Sequence, residues 1–259
     1  MRAEELIAGD GFRLEKDIAR NRAGLLDDPR TGCVFVKRFT AGSWLEGICD
    51  RIRGSRASRS LRAAAALRAA GFRCPEPVAA GEQITLGAAR RSWLISEALT
   101  QAQVFSVFLD RRRGGLRDRR EWRRKVLGEV ARCVRRLHDA GLFTSDLQET
   151  NLMLAGEAGA LEIYFVDLDG FCQLPTVSWR RRRRNLVQLD RTVGRFLSRS
   201  ERLHFLREYL APGARPLRPL AAALMRERAR KDSSNARKHA RRAARGGAEI
   251  GAEPLSRSA

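Results

Sequence analysis

The sequence lacks any apolar run that approaches the roughly 20 residues needed to cross a bilayer as a helix. Its five cysteines, at positions 33, 49, 74, 133 and 172, are scattered and never form a CxxC pair, which suggests neither a disulfide framework nor a zinc site. The opening stretch, MRAEELIAGDGFRLEK, carries acids where a signal peptide has an apolar run. We therefore expect a reduced, cytoplasmic protein that is not exported.

Lysine is also scarce. The chain has 51 basic residues and a formal net charge of +21, yet only five residues are lysine, at positions 16, 37, 125, 231 and 238. An arginine bias of this kind can arise from codon composition alone, and this interpretation stays open. The alternative is attraction to a polyanion such as nucleic acid, anionic lipid or a phosphorylated glycan. The densest run, Arg180–Arg184, precedes an apolar helical pattern and is also consistent with a solvated helix start.

The order of the sequence patterns indicates an α+β protein. With 259 residues and 43% hydrophobic composition, the chain can form one large domain or two unequal lobes. In the first hundred residues, GCVFVKRF and RRSWLISEAL predict strands and SRASRSLRAAAALRAAGF predicts a helix, which together give a small sheet with one helix across it. The chain then becomes mainly helical, and EWRRKVLGEVARCVRRLHDAG places Val126, Val130, Val134 and Leu137 on one face.

The stretch GLFTSDLQETNLMLAGEAGALEIYFVDLDG, residues 141–170, gathers two carboxylates and a carboxamide around short strands. Asp146 is followed five residues later by Asn151, and Asp167 comes after an apolar run. Phosphoryl transfer needs such a set, because one carboxylate orients the attacking hydroxyl and takes its proton while an amide oxygen and a second carboxylate hold Mg²⁺. The simpler alternative for Asp146 and Asn151 is an Asx-type turn that only holds the loop.

Phosphoryl transfer also needs a cation against the nucleotide phosphates, carried by a rigid strand. Lys37 in VFVK has that position, and a lysine within an apolar strand is unexpected in a chain so biased towards arginine. A lysine at a strand end can also simply extend its amine to solvent.

These motifs carry a family resemblance. TSDLQETNLML…FVDLDG with VFVK upstream resembles the catalytic-loop and metal-loop signatures of the protein-kinase-like fold. VKRF, SRASRSLRAAAALRAAGFRCPEPVAAG, WLISEAL and RRRRRNLVQLDRTVGRF…ERLHFLREYL further resemble the bacterial lipopolysaccharide core kinases, the Kdo/heptose (WaaP- and InaA-like) group. The resemblance covers about residues 15–210. It implies a two-lobed kinase fold, with a nucleotide-binding lobe over residues 1–99 and a catalytic lobe over 100–220. Over 221–259 the apolar periodicity is lost, which predicts a basic helix fraying into a disordered tail.

The resemblance also implies roles for individual residues. Asp146 becomes the base or hydroxyl-positioning residue, Lys37 the lysine on the α- and β-phosphates, and Asn151 and Asp167 the metal ligands. The backbone of residues 97–99 (Glu97, Ala98 and Leu99) would bond the adenine. The implied cofactors are ATP and Mg²⁺. The implied substrate is a sugar of the lipopolysaccharide inner core or a related glycolipid, reached at an anionic membrane surface on the cytoplasmic face.

The sequence departs from the family pattern at several positions. Thr144 stands where a histidine usually precedes the catalytic aspartate by two residues, and no glycine-rich loop precedes Lys37, so that residues 21–24 are the candidate turn. The helix expected to supply a glutamate to the lysine has no acid, Ser60 takes the expected position, and Glu46 upstream is the candidate substitute. Asp169, after the metal aspartate, is interpreted as a cap of the next helix in preference to a further metal ligand.

Three other functions compete with an active glycolipid kinase. Thr144 and the missing glutamate would also suit a weakly catalytic kinase fold that serves as a binding or regulatory module. An aminoglycoside- or choline-type phosphotransferase shares the Asp…Asn…Asp set but usually keeps the histidine. A nucleic-acid binder is disfavoured because only the charge supports it, without a zinc-finger, RRM or KH signature.

Overall fold

The structure, a computed structural model, describes residues 12–18, 21–28, 32–111, 115–210 and 217–249. Within these ranges the strands are β1 Phe12–Ile18, β2 Asn21–Asp28, β3 Gly32–Thr40, β4 Pro77–Thr85, β5 Ala88–Glu97, β6 Gln103–Val104, β7 Leu142–Thr144, β8 Leu152–Glu157, β9 Ala160–Phe165 and β10 Phe171–Gln173. The α-helices are α1 Trp44–Arg53, α2 Arg56–Ala69, α3 Phe105–Leu109, α4 Leu116–Asp139, α5 Trp179–Thr192, α6 Arg199–Leu210 and α7 Leu217–Glu249.

The N-terminal part is an antiparallel sheet with strand order β1-β2-β3-β5-β4. Strand β3 lies at its centre, paired with β2 and β5, so that Lys37 is opposite Ala23 and Leu94. Successive side chains of a strand point to opposite faces. Val34 and Val36 are therefore buried on one face, while Phe35, Lys37 and Phe39 share the other.

Two helices accompany this sheet, where the sequence predicted one. The predicted helix is α2, which begins after the N-cap residue Ser55, whose side chain accepts a hydrogen bond from the Ser58 amide. Helix α1 was not predicted. It begins with a capping box, in which Ser43 Oγ accepts from the Glu46 amide at 3.1 Å and the Glu46 carboxylate accepts from the Gly42 amide at 2.8 Å.

The C-terminal part is mainly helical and surrounds the larger hydrophobic core. The predicted face of α4 is confirmed, because Val126, Val130, Val134 and Leu137 are all fully buried. The same core includes Leu67 of α2 together with residues of α5, α6 and α7. Helix α2 therefore packs into the core of the helical part as well as lying against the sheet, and it connects the two halves of the molecule.

The segment predicted as a basic helix that frays into a tail is helical as far as Glu249, and residues 250–259 lie outside the described part of the chain. Helix α7 is anchored on α5, since Leu220 and Ala221 are buried and Arg228 donates to Asp190 at 2.9 Å. None of the described helices combines the length and the hydropathy that a membrane span requires.

The expected α+β architecture, with an antiparallel N-terminal sheet and a helical C-terminal part, is confirmed. The boundaries at residues 99 and 220 stay predictions.

Candidate active site

A cleft of about 420 Å³ lies between the sheet and the helical part. Three sets of predicted residues line it, although they are far apart in sequence: Lys37 on β3, Asp167 after β9, and the segment 97–99 after β5. Its volume falls within the range of roughly 300–1,000 Å³ that is usual for small-molecule sites. Apolar side chains, among them Leu25, Met153 and Val166, also line the cleft.

Lys37 and Asp167 form a close ion pair, in which Lys37 Nζ donates to Asp167 Oδ1 at 2.6 Å. The Lys37 side chain is only 15% exposed, and its amine lies 4.9 Å from the centroid of the Phe39 ring. Lys37 therefore does not extend to solvent, which was the simpler interpretation of its place on the strand. The ion pair brings the candidate phosphate-binding amine to the candidate metal ligand.

Asp167 occupies a turn with an unusual backbone. Its φ of 59° and ψ of 62° lie in the left-handed region, and a single turn of 3₁₀-helix, Leu168–Gly170, follows. Burial acts to raise the pKa of Asp167, but Lys37 outweighs this effect and holds that pKa below its ordinary value. Burial raises the pKa of Asp169, and the neighbouring Asp167 charge acts in the same direction. We call residues 167–170 the metal turn.

The interpretation of Asp169 as a helix cap is wrong. Its carboxylate oxygen Oδ2 accepts a hydrogen bond from Arg56 Nε of α2 at 2.5 Å. The next helix, α5, begins only after Ser178, nine residues further along the chain. Asp169 is thus used in an ion pair that connects the metal turn to α2.

Asp146 is held by the carboxamides of three neighbouring residues. Gln188 Nε2 of α5 donates to Asp146 Oδ1 at 2.5 Å. Gln148 Nε2 and Asn151 Nδ2 donate to Asp146 Oδ2 at 2.8 and 3.2 Å. Gln188 also accepts from the Leu147 amide at 3.2 Å, so a single side chain fixes both the carboxylate and the backbone of this loop. These neutral donors orient Asp146 without giving it a cationic partner.

Asn151 is placed with its amide oxygen available. Its Nδ2 donates to the Asp146 carbonyl at 3.0 Å as well as to the carboxylate, so its donor group is directed towards the catalytic loop. Its own carbonyl accepts from the Val166 amide at 3.0 Å, which places Asn151 beside the residue preceding Asp167. An amide oxygen and one or two carboxylates are hard oxygen donors of the kind Mg²⁺ takes from proteins.

The donor set therefore fits Mg²⁺ bound together with substrate phosphates. Within the described ranges, no group of three or more His, Cys, Asp or Glu side chains could hold a metal alone. A set with one amide and few carboxylates instead suits a metal whose remaining ligands are phosphate oxygens and water.

The structure shows how each departure from the family pattern is accommodated. Thr144 is buried, and its hydroxyl accepts from the Asp146 amide at 3.1 Å, so it fixes the loop from behind. Ser60 donates to the Arg56 carbonyl, and Glu46 caps α1, while Lys37 has Asp167 as its carboxylate. The candidate turn at residues 21–24 is wrong, because these residues belong to β2; the β1–β2 connection at 19–20 lies outside the described residues.

In the segment predicted to bond adenine, three backbone groups already have partners: the Ala98 carbonyl accepts from the Thr100 amide at 3.0 Å, the Leu99 carbonyl accepts from the Ala102 amide at 3.3 Å, and the third is the Glu97 amide. The Glu97 amide donates to the Glu76 carbonyl at 2.8 Å and pairs the end of β5 with the preceding chain. Residues 97–99 line the same cleft as Asp167 and Leu168 of the metal turn. The roles assigned to these residues and to the others of the site stay predictions.

Sequence reasoning missed three residues of the site: Gln148, Gln188 and Arg56. For Gln188 a signal was available, because Asn185 and Gln188 interrupt the apolar side of NLVQL and a polar residue inside a buried helix face needs a partner. For Arg56 no signal existed, because its partner Asp169 lies 113 residues away in sequence.

Two comparisons with known proteins gave matches. The model of the lipopolysaccharide kinase (Kdo/WaaP) family matches residues 48–209, which include Asp146, Asn151 and Asp167 but not Lys37. A solved structure described as WaaP in complex with acyl carrier protein superposes with a TM-score of 0.65 and 23% identity, over 90% of this chain and 91% of that one. No curated protein matches the chain.

Proposed function

The chain belongs to the lipopolysaccharide kinase (Kdo/WaaP) family and is a kinase, and we propose that it transfers the γ-phosphoryl group of ATP, with Mg²⁺, to a sugar hydroxyl. The proposed acceptor sugar is Kdo or heptose of the lipopolysaccharide inner core, or a sugar of a related glycolipid. The observation that carries this proposal is the contact between Lys37 and Asp167 at 2.6 Å inside the cleft. It brings together the amine that would bind the nucleotide phosphates and a carboxylate that would hold the metal ion bridging those phosphates.

Lys37 and Asp167 exchange partners when nucleotide enters. The Lys37 amine moves from the Asp167 carboxylate to the α- and β-phosphate oxygens, which are the stronger anion. Asp167 and the amide oxygen of Asn151 would then hold Mg²⁺. When bound, Mg²⁺ neutralises negative charge on the phosphate oxygens. The backbone of residues 97–99 and the apolar side chains Leu25 and Met153 hold the base.

Asp146 orients the acceptor. Three carboxamides fix its carboxylate, so that an oxygen in a defined position can accept a hydrogen bond from the incoming sugar hydroxyl. It accepts the hydroxyl proton as the oxygen–phosphorus bond forms and the bond to the leaving diphosphate breaks. A general base placed in this way contributes about 10²- to 10⁴-fold to a rate.

The test is phosphate transfer from labelled ATP to isolated inner-core lipopolysaccharide, with aminoglycoside, choline and protein acceptors in parallel. Transfer to the lipopolysaccharide alone is expected. The variant Lys37→Ala should lose activity by orders of magnitude while remaining folded, whereas Lys125→Ala, which removes an exposed lysine paired with Glu121, should not. Transfer to an aminoglycoside alone would replace the glycolipid assignment. Binding of ATP without transfer to any acceptor would favour a regulatory module.

A glycolipid acceptor lies in a membrane leaflet, and three arginines suit contact with its anionic surface. In the run Arg180–Arg184, Arg182 donates to Asp139 at 2.6 Å and Arg183 pairs with Glu227 at 2.7 Å, so both serve the fold. The other three, Arg180, Arg181 and Arg184, are exposed at the start of α5, the first helix after the metal turn and strand β10. We assign them to peripheral binding on the cytoplasmic face.

Vesicle binding separates this assignment from a mere compositional bias. The triple change of Arg180, Arg181 and Arg184 to Ala should weaken binding to anionic vesicles by about 1 kcal/mol per residue. The matched control changes Arg117, Arg120 and Arg124, three exposed arginines at the start of α4, and should bind as the wild type does. Equal losses in the two triple variants would mean that the charge acts without a defined surface.

A further inference from the structure

Helix α2 has no acid to hold Lys37, yet it is tied to the metal turn through an arginine. Protein kinases require an ion pair between the strand lysine and a glutamate of the helix packed on the sheet, because this pair couples the helix to the site. In this chain the contact has the opposite polarity. The helix supplies the cation, Arg56, and the metal turn supplies the carboxylate, Asp169.

Arg56 makes three contacts that converge near the cleft. Its Nε donates to Asp169 Oδ2 at 2.5 Å, and its Nη1 donates to Asn21 Oδ1 at the start of β2 at 2.9 Å. Its guanidinium lies 4.7 Å from the centroid of the Phe39 ring, which Lys37 also contacts. A planar guanidinium with several fixed donors can connect three such elements, which a flexible point charge cannot do.

The platform that carries Arg56 is rigid. Arg56 is the first residue of α2, directly after the cap Ser55, and it lies one turn before the buried residue Ser60. Helix α2 buries Ala57, Ala64 and Leu67, and the last two pack into the core of the helical part. The position of the guanidinium is therefore set by the packing of the whole helix.

The turn that Arg56 contacts needs an external restraint. The left-handed backbone of Asp167 is unfavourable for a residue other than glycine, although aspartate tolerates it better than most, so contacts from the surroundings are needed to hold it. Lys37 holds the Asp167 side chain, but nucleotide binding takes Lys37 away to the phosphates. Asp169, two residues further on, stays bound to Arg56, so the turn keeps one anchor throughout the cycle.

We propose that Arg56 is a positioning residue: its ion pair with Asp169 takes the place of the missing helix glutamate and keeps Asp167 in the metal-binding conformation while Lys37 is engaged with the nucleotide. This inference rests on the proposed function for its effect on transfer. The contact itself, and its effect on the order of the metal turn, do not depend on which acceptor is used.

The experiment compares Arg56→Ala, Arg56→Lys and Asp169→Asn with the matched control Arg59→Ala. Arg59 lies on the same helix, and its guanidinium donates to Asp50 of α1 at 2.8 Å and to the Gly54 carbonyl at 2.7 Å. Two quantities are measured on the full chain: the Mg²⁺ concentration for half-maximal transfer, and hydrogen exchange of the backbone amides of residues 167–171 without ligand.

Arg56→Ala and Asp169→Asn should each raise the half-saturating Mg²⁺ concentration by about 10- to 100-fold, the usual cost of losing a residue that holds a metal ligand in place. Exchange at residues 167–171 should become faster. The double variant should be no worse than either single variant, because both remove the same contact. Arg56→Lys should recover part of the loss, and Arg59→Ala should leave both quantities unchanged.

Two failures are distinguishable. The wild type could transfer phosphate to no acceptor while Arg56→Ala, but not Arg59→Ala, speeds hydrogen exchange in the metal turn. The proposed function would then be wrong and the positioning role of Arg56 right. If the wild type is active and Arg56→Ala matches Arg59→Ala in both quantities, the positioning role of Arg56 is wrong.

Discussion

The catalytic loop around Asp146 and the metal turn around Asp167 adjoin each other, yet their carboxylates are held by different chemistry. Asp146 receives hydrogen bonds from the carboxamides of Gln148, Asn151 and Gln188. Asp167 and Asp169 instead receive them from two cations, Lys37 and Arg56. Both arrangements fix a carboxylate in place, but only the second compensates its charge.

The difference fits the roles that we propose for the two carboxylates. A proton acceptor must keep its negative charge available, and neutral donors orient it while leaving that charge without a cationic partner. A metal ligand must stay ionised until the metal arrives, and in the half-buried Asp167 the effect of burial on the pKa is outweighed by Lys37, which lowers it. In the proposed mechanism Asp146 keeps the same neutral partners, whereas Asp167 exchanges one cation, Lys37, for another, the metal ion.

The largest effect should come from removing the Asp146 charge. Asp146→Asn keeps the shape of the side chain but leaves no carboxylate to take the hydroxyl proton, so kcat should fall by about 10²- to 10⁴-fold. The KM for ATP should change little, because Asp146 does not line the nucleotide cleft. Steady-state kinetics with inner-core lipopolysaccharide measure both quantities.

A graded variant and a control sharpen this result. Gln188→Leu removes one of the three donors and leaves the charge, so its kcat should fall about tenfold, less than the loss in Asp146→Asn. Asp110→Asn removes a carboxylate on an 84% exposed side chain and should have no effect. A loss in Gln188→Leu as large as that in Asp146→Asn would mean that the carboxamides support the loop fold and do not orient a base.

The fold was predictable wherever burial leaves a periodic pattern. The face of α4 and the alternation along β3 are visible in the sequence because one side of each element is buried. Helix α1 escaped prediction for the opposite reason: Trp44, Leu45 and Ile52 are exposed, so its apolar residues do not mark a buried face. Its signal was the capping box at Ser43, a weaker pattern.

The site was predictable where its residues follow one another along the chain. Asp146, Asn151 and Asp167 lie within 22 consecutive residues of the sequence. Asp146 and Asn151 share one loop and are hydrogen-bonded to each other, and Asp167 lines the cleft. The partners that hold these residues come from elsewhere: Gln188 is 42 residues from Asp146, and Arg56 is 113 residues from Asp169. Such pairs depend on how α5 and α2 pack, which no local pattern reports.

Behind the catalytic loop the neutral chemistry continues into the core. The Asn185 amide donates to the Thr144 carbonyl at 2.9 Å, and Asn185 Oδ1 lies 3.1 Å from His138 Nε2. His138 Nδ1 lies 2.8 Å from the Tyr209 hydroxyl. Because the Asn185 oxygen can only accept, Nε2 carries the proton and Nδ1 accepts from Tyr209. This chain of hydrogen bonds needs a neutral imidazole.

Acid should therefore weaken the network behind the catalytic loop. Burial lowers the pKa of His138 from 6.5 to about 4; the Asn185 contact opposes this shift, Arg182 adds to it, and Asp139 opposes it. In the unfolded chain the histidine titrates near 6.5, so between pH 6.5 and 4 the unfolded state binds the extra proton and the free energy of unfolding falls as the pH falls. The stabilising contribution is complete above pH 6.5, and about 3 kcal/mol of it is lost by pH 4.

Denaturant unfolding of the wild type and of His138→Gln at pH 7.5, 6.5, 5.5 and 4.5 measures this contribution. Gln is neutral at every one of these values and can still accept and donate a hydrogen bond, while the carboxylates elsewhere contribute alike to both proteins. The wild type should lose about 1.4 kcal/mol more per pH unit than the variant below pH 6.5, the linkage value for one proton. Parallel curves for the two proteins would mean that His138 takes up its proton equally readily in the folded and unfolded states, and that the network does not rely on a neutral ring.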